Sequence, residues 1–232
     1  MTRRSAIRLL GPAVLLLVTG TLAACGGGSS SNGVADKTPT QILTEAKQAA
    51  RDAGSVHVSG SITDQGTTIG VDLHIGKTAG AGSITLHGSK IDLVRAGDTV
   101  YIRAPASFYT SLGAGAAAGQ LLDGKWLKAS AKSKEFSDLA QLTALDAFTA
   151  QALKPDGTVS KGDETTVDGQ KVIQLKSSKG GSLFVATTGK PYPVQLEGSG
   201  TSKGTITFSD WGSSVKADAP AKSIDLAKLG GS

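Results

Sequence analysis

The chain has 232 residues, of which 39% are hydrophobic, 19% charged and 4% aromatic, with 31 Gly, 7 Pro and a single Cys. These proportions exclude wholesale disorder, and one Cys excludes both a disulfide framework and a Cys-based zinc cluster. The formal net charge is +5. Arg3, Arg4 and Arg8 lie in a segment read below as removed, and the balance left without them is too weak and too mixed to predict nucleic-acid binding, so no nucleic-acid partner is expected.

Residues 1–8 are short, basic and free of acids. Residues 9–18 are almost wholly apolar, interrupted by Gly11 and Pro12, and small residues lead into Leu22-Ala23-Ala24-Cys25. This is the three-part pattern of a secretory signal. An apolar core of about ten residues is too short for the roughly 20 that span a bilayer. Leu-Ala-Ala-Cys at this position resembles the bacterial lipobox. The resemblance implies a diacylglyceryl thioether on Cys25, cleavage just before it, and a protein anchored by lipid on the extracytoplasmic face of the cell membrane. The predicted organisation is a signal peptide over 1–24, an acylated flexible tether over 25–36 and a single domain over 37–232. The tether reading rests on the run GGGSSSNGVAD, which has almost nothing to bury.

Thr38 can cap a helix, Pro39 suits its first position and Gln41 completes a capping box. Ile42, Ala46, Ala49 and Ala53 share one face, and Gly54 is a natural stop. That alanine-rich face predicts close packing on something flat, such as a sheet. Period-two alternation follows: Val56, Val58 and Ile62; then Ile69, Val71, Leu73 and Ile75; then Ile84 and Leu86; Ile91 and Leu93; Val100 and Ile102. The breaks between these runs are short and turn-rich, which permits hairpins and forbids parallel crossovers. About five antiparallel strands are therefore predicted as a meander over 55–104. Residues 105–124 read as a weak helix or a mobile flap, and Trp126-Leu127 as a short strand. Residues 133–153 read as one helix with a stripe of Phe136, Leu139, Leu142, Leu145, Phe148 and Leu153. A second strand run is expected at 164–167, 171–176, 182–186, 194–197 and 205–208. The predicted fold class is α+β, one domain around a large antiparallel sheet.

The motifs that could carry catalysis fail on their context. Gly200-Thr201-Ser202-Lys203-Gly204 matches G-x-S-x-G, but a nucleophile elbow needs a strand followed by a helix, and both flanks here are strands. The segment from Gly119 to Lys125 matches GxxxxGK, yet Trp126 stands where Ser or Thr would hold Mg²⁺. Ser213 to Lys216 spells SxxK without partner motifs. His57 and His74 are predicted to face each other about eight residues from the Gln65-Gly66 turn, on the side away from the core, with His87 farther off. Two histidines without a third ligand make a poor zinc site. The acids are scattered singly. The expectation is a non-enzyme with no metal and no cofactor.

The lipobox, Gly124-Lys125-Trp126-Leu127, the hairpin Val167-Asp168-Gly169-Gln170-Lys171 and the run Thr207-Phe208-Ser209-Asp210-Trp211-Gly212 ahead of Pro220 occur in an order that resembles the actinobacterial lipoproteins of the LppX/LprA/LprF/LprG family. A more distant likeness is to LolA/LolB-like folds. The resemblance implies a curved antiparallel half-barrel, helices over its concave side, an apolar cavity between them, and the binding and movement of acylated lipids or glycolipids in the cell envelope. Assigned to the cavity are Ile69, Val71, Leu73, Ile84, Leu86, Val100, Ile102, Leu175, Phe184, Leu196 and Phe208, and to a mobile mouth Phe108, Tyr109 and Leu112. A monomer is expected, with an envelope transporter or enzyme as the class of protein partner. The alternative is an envelope lipoprotein with a solid core that acts as a sensor or scaffold through protein contacts.

Overall fold

The computed structural model describes residues 30–133 and 137–228. The signal segment and Cys25 lie outside the described residues. The first helix, α1 (Pro39–Ala53), begins with the capping box: the Gln41 amide donates to the Thr38 hydroxyl oxygen, and the Thr38 amide donates to the Gln41 side chain. Gly54 ends it in a left-handed conformation. Then come β1 (Ser55–Asp64), β2 (Thr67–Gly76), β3 (Ala79–Leu86), β4 (Ser89–Ala96) and β5 (Thr99–Arg103). The chain leaves the sheet for α2 (Ala106–Ser111) and α3 (Ala116–Leu122) and returns as β6 (Trp126–Ser130). Next are α4 (Ser137–Leu142) and α5 (Leu145–Ala152). The second strand run is β7 (Val159–Val167), β8 (Gln170–Ser177), β9 (Ser182–Ala186), β10 (Pro193–Gly198) and β11 (Ser202–Ser209), followed by the two-residue β12 (Ile224–Asp225).

The twelve strands form one open sheet in the order β12-β6-β5-β4-β3-β2-β1-β11-β10-β9-β8-β7. Among these strands only β12 and β6 pair in parallel. The two halves join where β1 pairs with β11, so the last long strand closes back on the first. The architecture is an α+β half-barrel.

Alternation sends Val56, Val58, Leu73, Ile75, Ile91, Leu93, Val100 and Ile102 to the concave side, where they form the larger core cluster. A second cluster packs Ile42, Ala46 and Ala50 of α1 against Ile173, Leu175, Leu183 and Val185. Small alanine side chains let the helix axis approach the sheet closely, as its spacing predicts. Three strand glycines on the concave side, Gly60, Gly82 and Gly204, adopt positive φ where a neighbouring strand comes close, 2.2 Å from Ser61 O for a Cβ at Gly204. Gly60 has φ +131° and Gly82 has φ +146°. A Cβ at either of these two would lie 2.1 Å from a carbonyl oxygen of the neighbouring strand, that of Thr205 or Asp72.

The sequence differs from the structure in two places here. Residues 133–153 do not form one helix. Thr143 turns its hydroxyl back onto the Ala140 carbonyl (3.0 Å), and Ala144, in extended conformation, bridges to Gly76 of β2. The sheet captures that backbone and divides the pattern into α4 and α5. The tether, expected to run through residue 36, is pinned earlier. Asn32 donates from its side chain to Ala186 O and Gly189 O, both 3.1 Å away, and from its backbone to Thr187 O (2.9 Å). Ser31 bridges to Thr188, and Val34 is buried in the α1 cluster.

Replacing Gly82 with Ala is expected to cost about 2–4 kcal/mol in denaturant unfolding, because the backbone must move away from the Asp72 carbonyl. Gly66→Ala meets nothing within 4 Å. It should cost only about 1–2 kcal/mol, the ordinary cost of a left-handed alanine. Equal losses at the two positions would refute the close approach at Gly82.

Candidate functional site

The strands end in two rims. The lower rim carries the turns 77–78, 97–98 and 168–169 and the 187–192 connection. The upper rim carries the turns 65–66, 87–88, 178–181 and 199–201, and the excursion through α2 and α3.

The lower rim is plugged across the concave face, and what remains there is a shallow, mostly polar depression of about 300 Å³ around Gly54, Gly76, Lys77 and Ser213. The α4–α5 junction lies over Gly80, where a Cβ would come within 3.1 Å of Thr143. Phe148 of α5 meets Phe208 edge-on with centroids 6.4 Å apart, and Phe208 neighbours Trp211 at 6.2 Å. Trp211 stacks on Tyr192 at 5.1 Å, and its indole N–H donates to Pro193 O (3.0 Å). Aromatic residues are scarce in this chain, and these four are all spent on one wall.

The upper rim is open. A cleft of about 310 Å³ lies between α1, the end of α5 and strands β8–β11. Its floor is Leu43, Ile62, Leu153, Leu175, Leu183 and Leu196. Its lip is polar, with Lys154, Asp156, Lys179, Ser182, Glu197 and Ser199. Lys179 and Asp156 pair across it at 3.2 Å, an exposed bridge worth about 0–1 kcal/mol. A second cleft of about 330 Å³ sits between the β3–β4 turn and α2, lined by Leu86, Ser89, Phe108, Ser111 and Leu112 among others. The two are joined by a ladder of register partners, Ile62 opposite Ile69 and Ile69 opposite Leu86. Such partners hold their side chains about 5 Å apart. Ile69 is 45% exposed. An apolar band thus crosses the upper rim from one cleft to the other, half-buried at Ile62 and Leu86 and exposed at Ile69.

Ten of the eleven residues assigned to the cavity lie on the concave side. Leu175 and Leu196 line the first cleft, Leu86 the second, and Ile69 the band between them. Leu73, Val100 and Ile102 are buried in the packed centre, and Phe208 belongs to the aromatic wall. The space is therefore at the rim rather than in the middle of the layer. Phe184 is corrected: it faces the other side of the sheet, packed with Val172, Ala186 and Val194. Its segment Leu183-Phe184-Val185-Ala186 is apolar on both faces, so alternation carries no direction, and the register of Leu175 opposite Leu183 decides it. A bulge in β10 turns Val194 to the same outer side. Leu43, Ile62, Leu153 and Leu183 were not assigned to the site. Ile62 is visible in the alternation of β1, whereas Leu43 lies off the main stripe of α1.

Of the mouth residues, Leu112 is 70% exposed, Phe108 is half-buried at the second cleft, and Tyr109 is buried. The flap is two short helices. The Tyr109 hydroxyl has no hydrogen-bond partner among the described residues. Burial pushes its phenol above the usual value of 10.0; the nearby Ala104 amide opposes this without completing a hydrogen bond, and the Asp123 carboxylate adds to it. A buried hydroxyl left without a partner costs about 1–3 kcal/mol.

His57 and His74 are on the convex side, whereas His87, expected to share that face, sits in the β3–β4 turn and lines the second cleft. His57 and His74 are register partners, as their distance from the turn predicts, and their rings stack at 4.1 Å and 5°. The His57 Nε2–H donates to Asp72 (2.8 Å), and Nδ1 lies 3.3 Å from the Ser209 hydroxyl, which itself donates to Asp210. Lone pairs in parallel ring planes do not converge on one ion. Among the described residues no group of His, Cys, Asp and Glu is arranged to hold a metal. Ser202 of the G-x-S-x-G run opens β11 and donates to Asp64 (2.7 Å), so that motif is a strand connection.

Tyr109→Phe removes the orphan hydroxyl and should stabilise the protein by about 1 kcal/mol at neutral pH. Because the folded-state value is raised, the neutral phenol's contribution is intact below pH 10 and falls as pH rises beyond it. Thermal unfolding of wild type should therefore lose stability above pH 10 faster than the Phe variant. Parallel curves would contradict the assigned burial.

No protein-family model matches the chain, and no curated protein sequence matches it. Among solved structures it is similar to LprF from Mycobacterium bovis, at 15% identity over 84% of this chain and 100% of that one, with a TM-score of 0.55. The Mycobacterium tuberculosis lipoprotein LppX aligns at 17% identity over 77% of this chain and 99% of that one, TM-score 0.48. An uncharacterized conserved protein from Thermus thermophilus aligns at 7% identity over 80% and 96%, TM-score 0.38. By its strand order, its one-sided helices and its superposition along the whole of LprF, the chain has the half-barrel fold of that mycobacterial lipoprotein.

Proposed function

We propose that this protein is an extracytoplasmic lipoprotein of the LppX/LprA/LprF/LprG kind, anchored through Cys25, that carries an acylated lipid or glycolipid in the cell envelope. The observation behind this reading is the band Ile62–Ile69–Leu86, exposed at Ile69, between two apolar-floored clefts. Exposed apolar surface continuous with clefts is costly in water and marks a ligand site. The first cleft lies at the small end of the roughly 300–1,000 Å³ of ligand pockets. It suits the end of one acyl chain, with the rest of the chain laid along the band. Its floor supplies only dispersion and the hydrophobic effect, so it discriminates chain length and shape poorly. The serines, lysines and acids of the lip can hydrogen-bond a polar headgroup that stays in water. No step in this activity needs a nucleophile or a metal.

Leu196 lines the first cleft and is half-buried. Leu196→Trp should fill the space and lower occupancy by a fluorescent acyl probe about tenfold or more, a difference of about 1.4 kcal/mol. Its melting temperature should stay close to that of wild type. Undiminished binding in the folded variant overturns the placement of the site. Wild-type protein that takes up no acyl probe and brings no lipid from its own membrane in mass spectrometry overturns the carrier reading and leaves the sensor or scaffold alternative.

A further inference from the structure

The segment from Pro105 to Leu122, which contains α2 and α3, has no Asp, Glu, Lys, Arg or His. It also bears the two most exposed large apolar side chains among the described residues, Leu112 at 70% and Leu121 at 63%. The segment is built as a firm projection. Tyr109 is buried beneath it, and the Asp123 carboxylate accepts the Ala106 amide (2.7 Å) at its base. Gly119 lets α3 cross α2 so closely that a Cβ there would lie 2.8 Å from Thr110. Leu112 belongs to the second cleft, so the projection continues the apolar band of the upper rim.

The chain's attachment lies elsewhere. Ser31 and Asn32 are pinned to residues 186–189, on the lower rim. In the strand order, β9 and β10, which that connection joins, are on the opposite flank from β5 and β6, which flank the projection. Six residue steps separate Cys25 from Ser31, a reach of at most about 21 Å, whereas a ten-residue strand is about 33 Å long.

We propose that the α2–α3 projection is a docking element for a lipid bilayer other than the one that holds the Cys25 anchor, so that the upper rim meets the surface from which lipid is taken or to which it is given. This rests on the reading of Cys25 as an acylated anchor. An uncharged helical hairpin enters the headgroup region without desolvating an ion, and two exposed leucines gain apolar surroundings there. With the tether drawn down at the lower rim, the projection lies at the other end of the strands and on the other flank from the anchor. Having no cationic cluster, the contact should be insensitive to salt and to anionic lipid content.

The test uses full-length acylated protein in phosphatidylcholine vesicles, mixed with a second population of bare phosphatidylcholine vesicles. Acylation of Cys25 is verified by mass, and unacylated protein overturns the proposal. Wild type should draw the two populations together at low and high salt, and the double variant Leu112→Asp/Leu121→Asp should lose at least tenfold of that association. A fluorophore on Ala116→Cys should be quenched by brominated lipid in the second population. Quenching only by the host vesicles overturns the orientation, no quenching by either overturns docking, and association unaffected in the double variant overturns the role of the leucines. Acyl-probe occupancy of the first cleft, measured on the same samples, reports the carrier reading separately: docking without occupancy sinks the carrier alone, and occupancy without docking sinks this proposal alone.

Discussion

The molecule is organised by a mismatch of areas. Twelve strands in one open sheet present a single long apolar face, and water must be kept from it. The helices available are short apart from α1, and they are divided between the two flanks, with α2 and α3 beside β5 and β6 and α1 and α5 over the β8–β11 side. Where they reach, Leu73, Ile75, Leu93 and Val100 are sealed. Where they do not, Ile69 and the clefts on either side are left open. The candidate site is this shortfall, concentrated at the upper rim by the way the lower rim is plugged.

That plug depends on small residues as much as on large ones. Gly76 and Gly80 accept the backbone of the α4–α5 junction, and the Phe148–Phe208–Trp211–Tyr192 series fills the space beside it. Neighbouring strands come close at Gly60, Gly82 and Gly204, whose positive φ values no side chain would tolerate at such close approach. The outer edges are also controlled. Strand β7 is charged and broken by a bulge between Lys161 and Glu164, and β6 is capped by the two-residue β12, which discourages edge-to-edge association.

Polar groups follow the same division. Most charges are spent on the convex side and the lip, in exposed pairs such as Arg103–Asp92, which adds little stability but also leaves the guanidinium over the Trp126 ring at 4.8 Å. On the covered side the Thr143 and Thr149 hydroxyls donate to helix carbonyls, whereas the Tyr109 hydroxyl is buried without a partner among the described residues. The first cleft has an apolar floor under a charged lip, whereas the α2–α3 segment beside the second cleft carries no charged residue and is rich in alanine and glycine.

Local patterns were enough for much of this. The capping box, the stop at Gly54, the five-strand meander and the pairing of His57 with His74 follow from capping groups, two-residue periodicity and turn position, all of which act over a few residues. The motif order also pointed to the half-barrel. The break at Thr143–Ala144 was not legible, because the apolar stripe continues through it and only Gly76, far back in the chain, captures the strand-like residue. Nor was the side on which Phe184 lies, since a run apolar on both faces has no direction until β8 pairs with it. Asn32 reads as linker until its partners, more than 150 residues away, are brought beside it. The sequence by itself determined which residues shun water and where the chain turns. Which of them remain uncovered, and at which rim, only the tertiary structure decided, because coverage depends on how helices from distant segments divide one curved face between them.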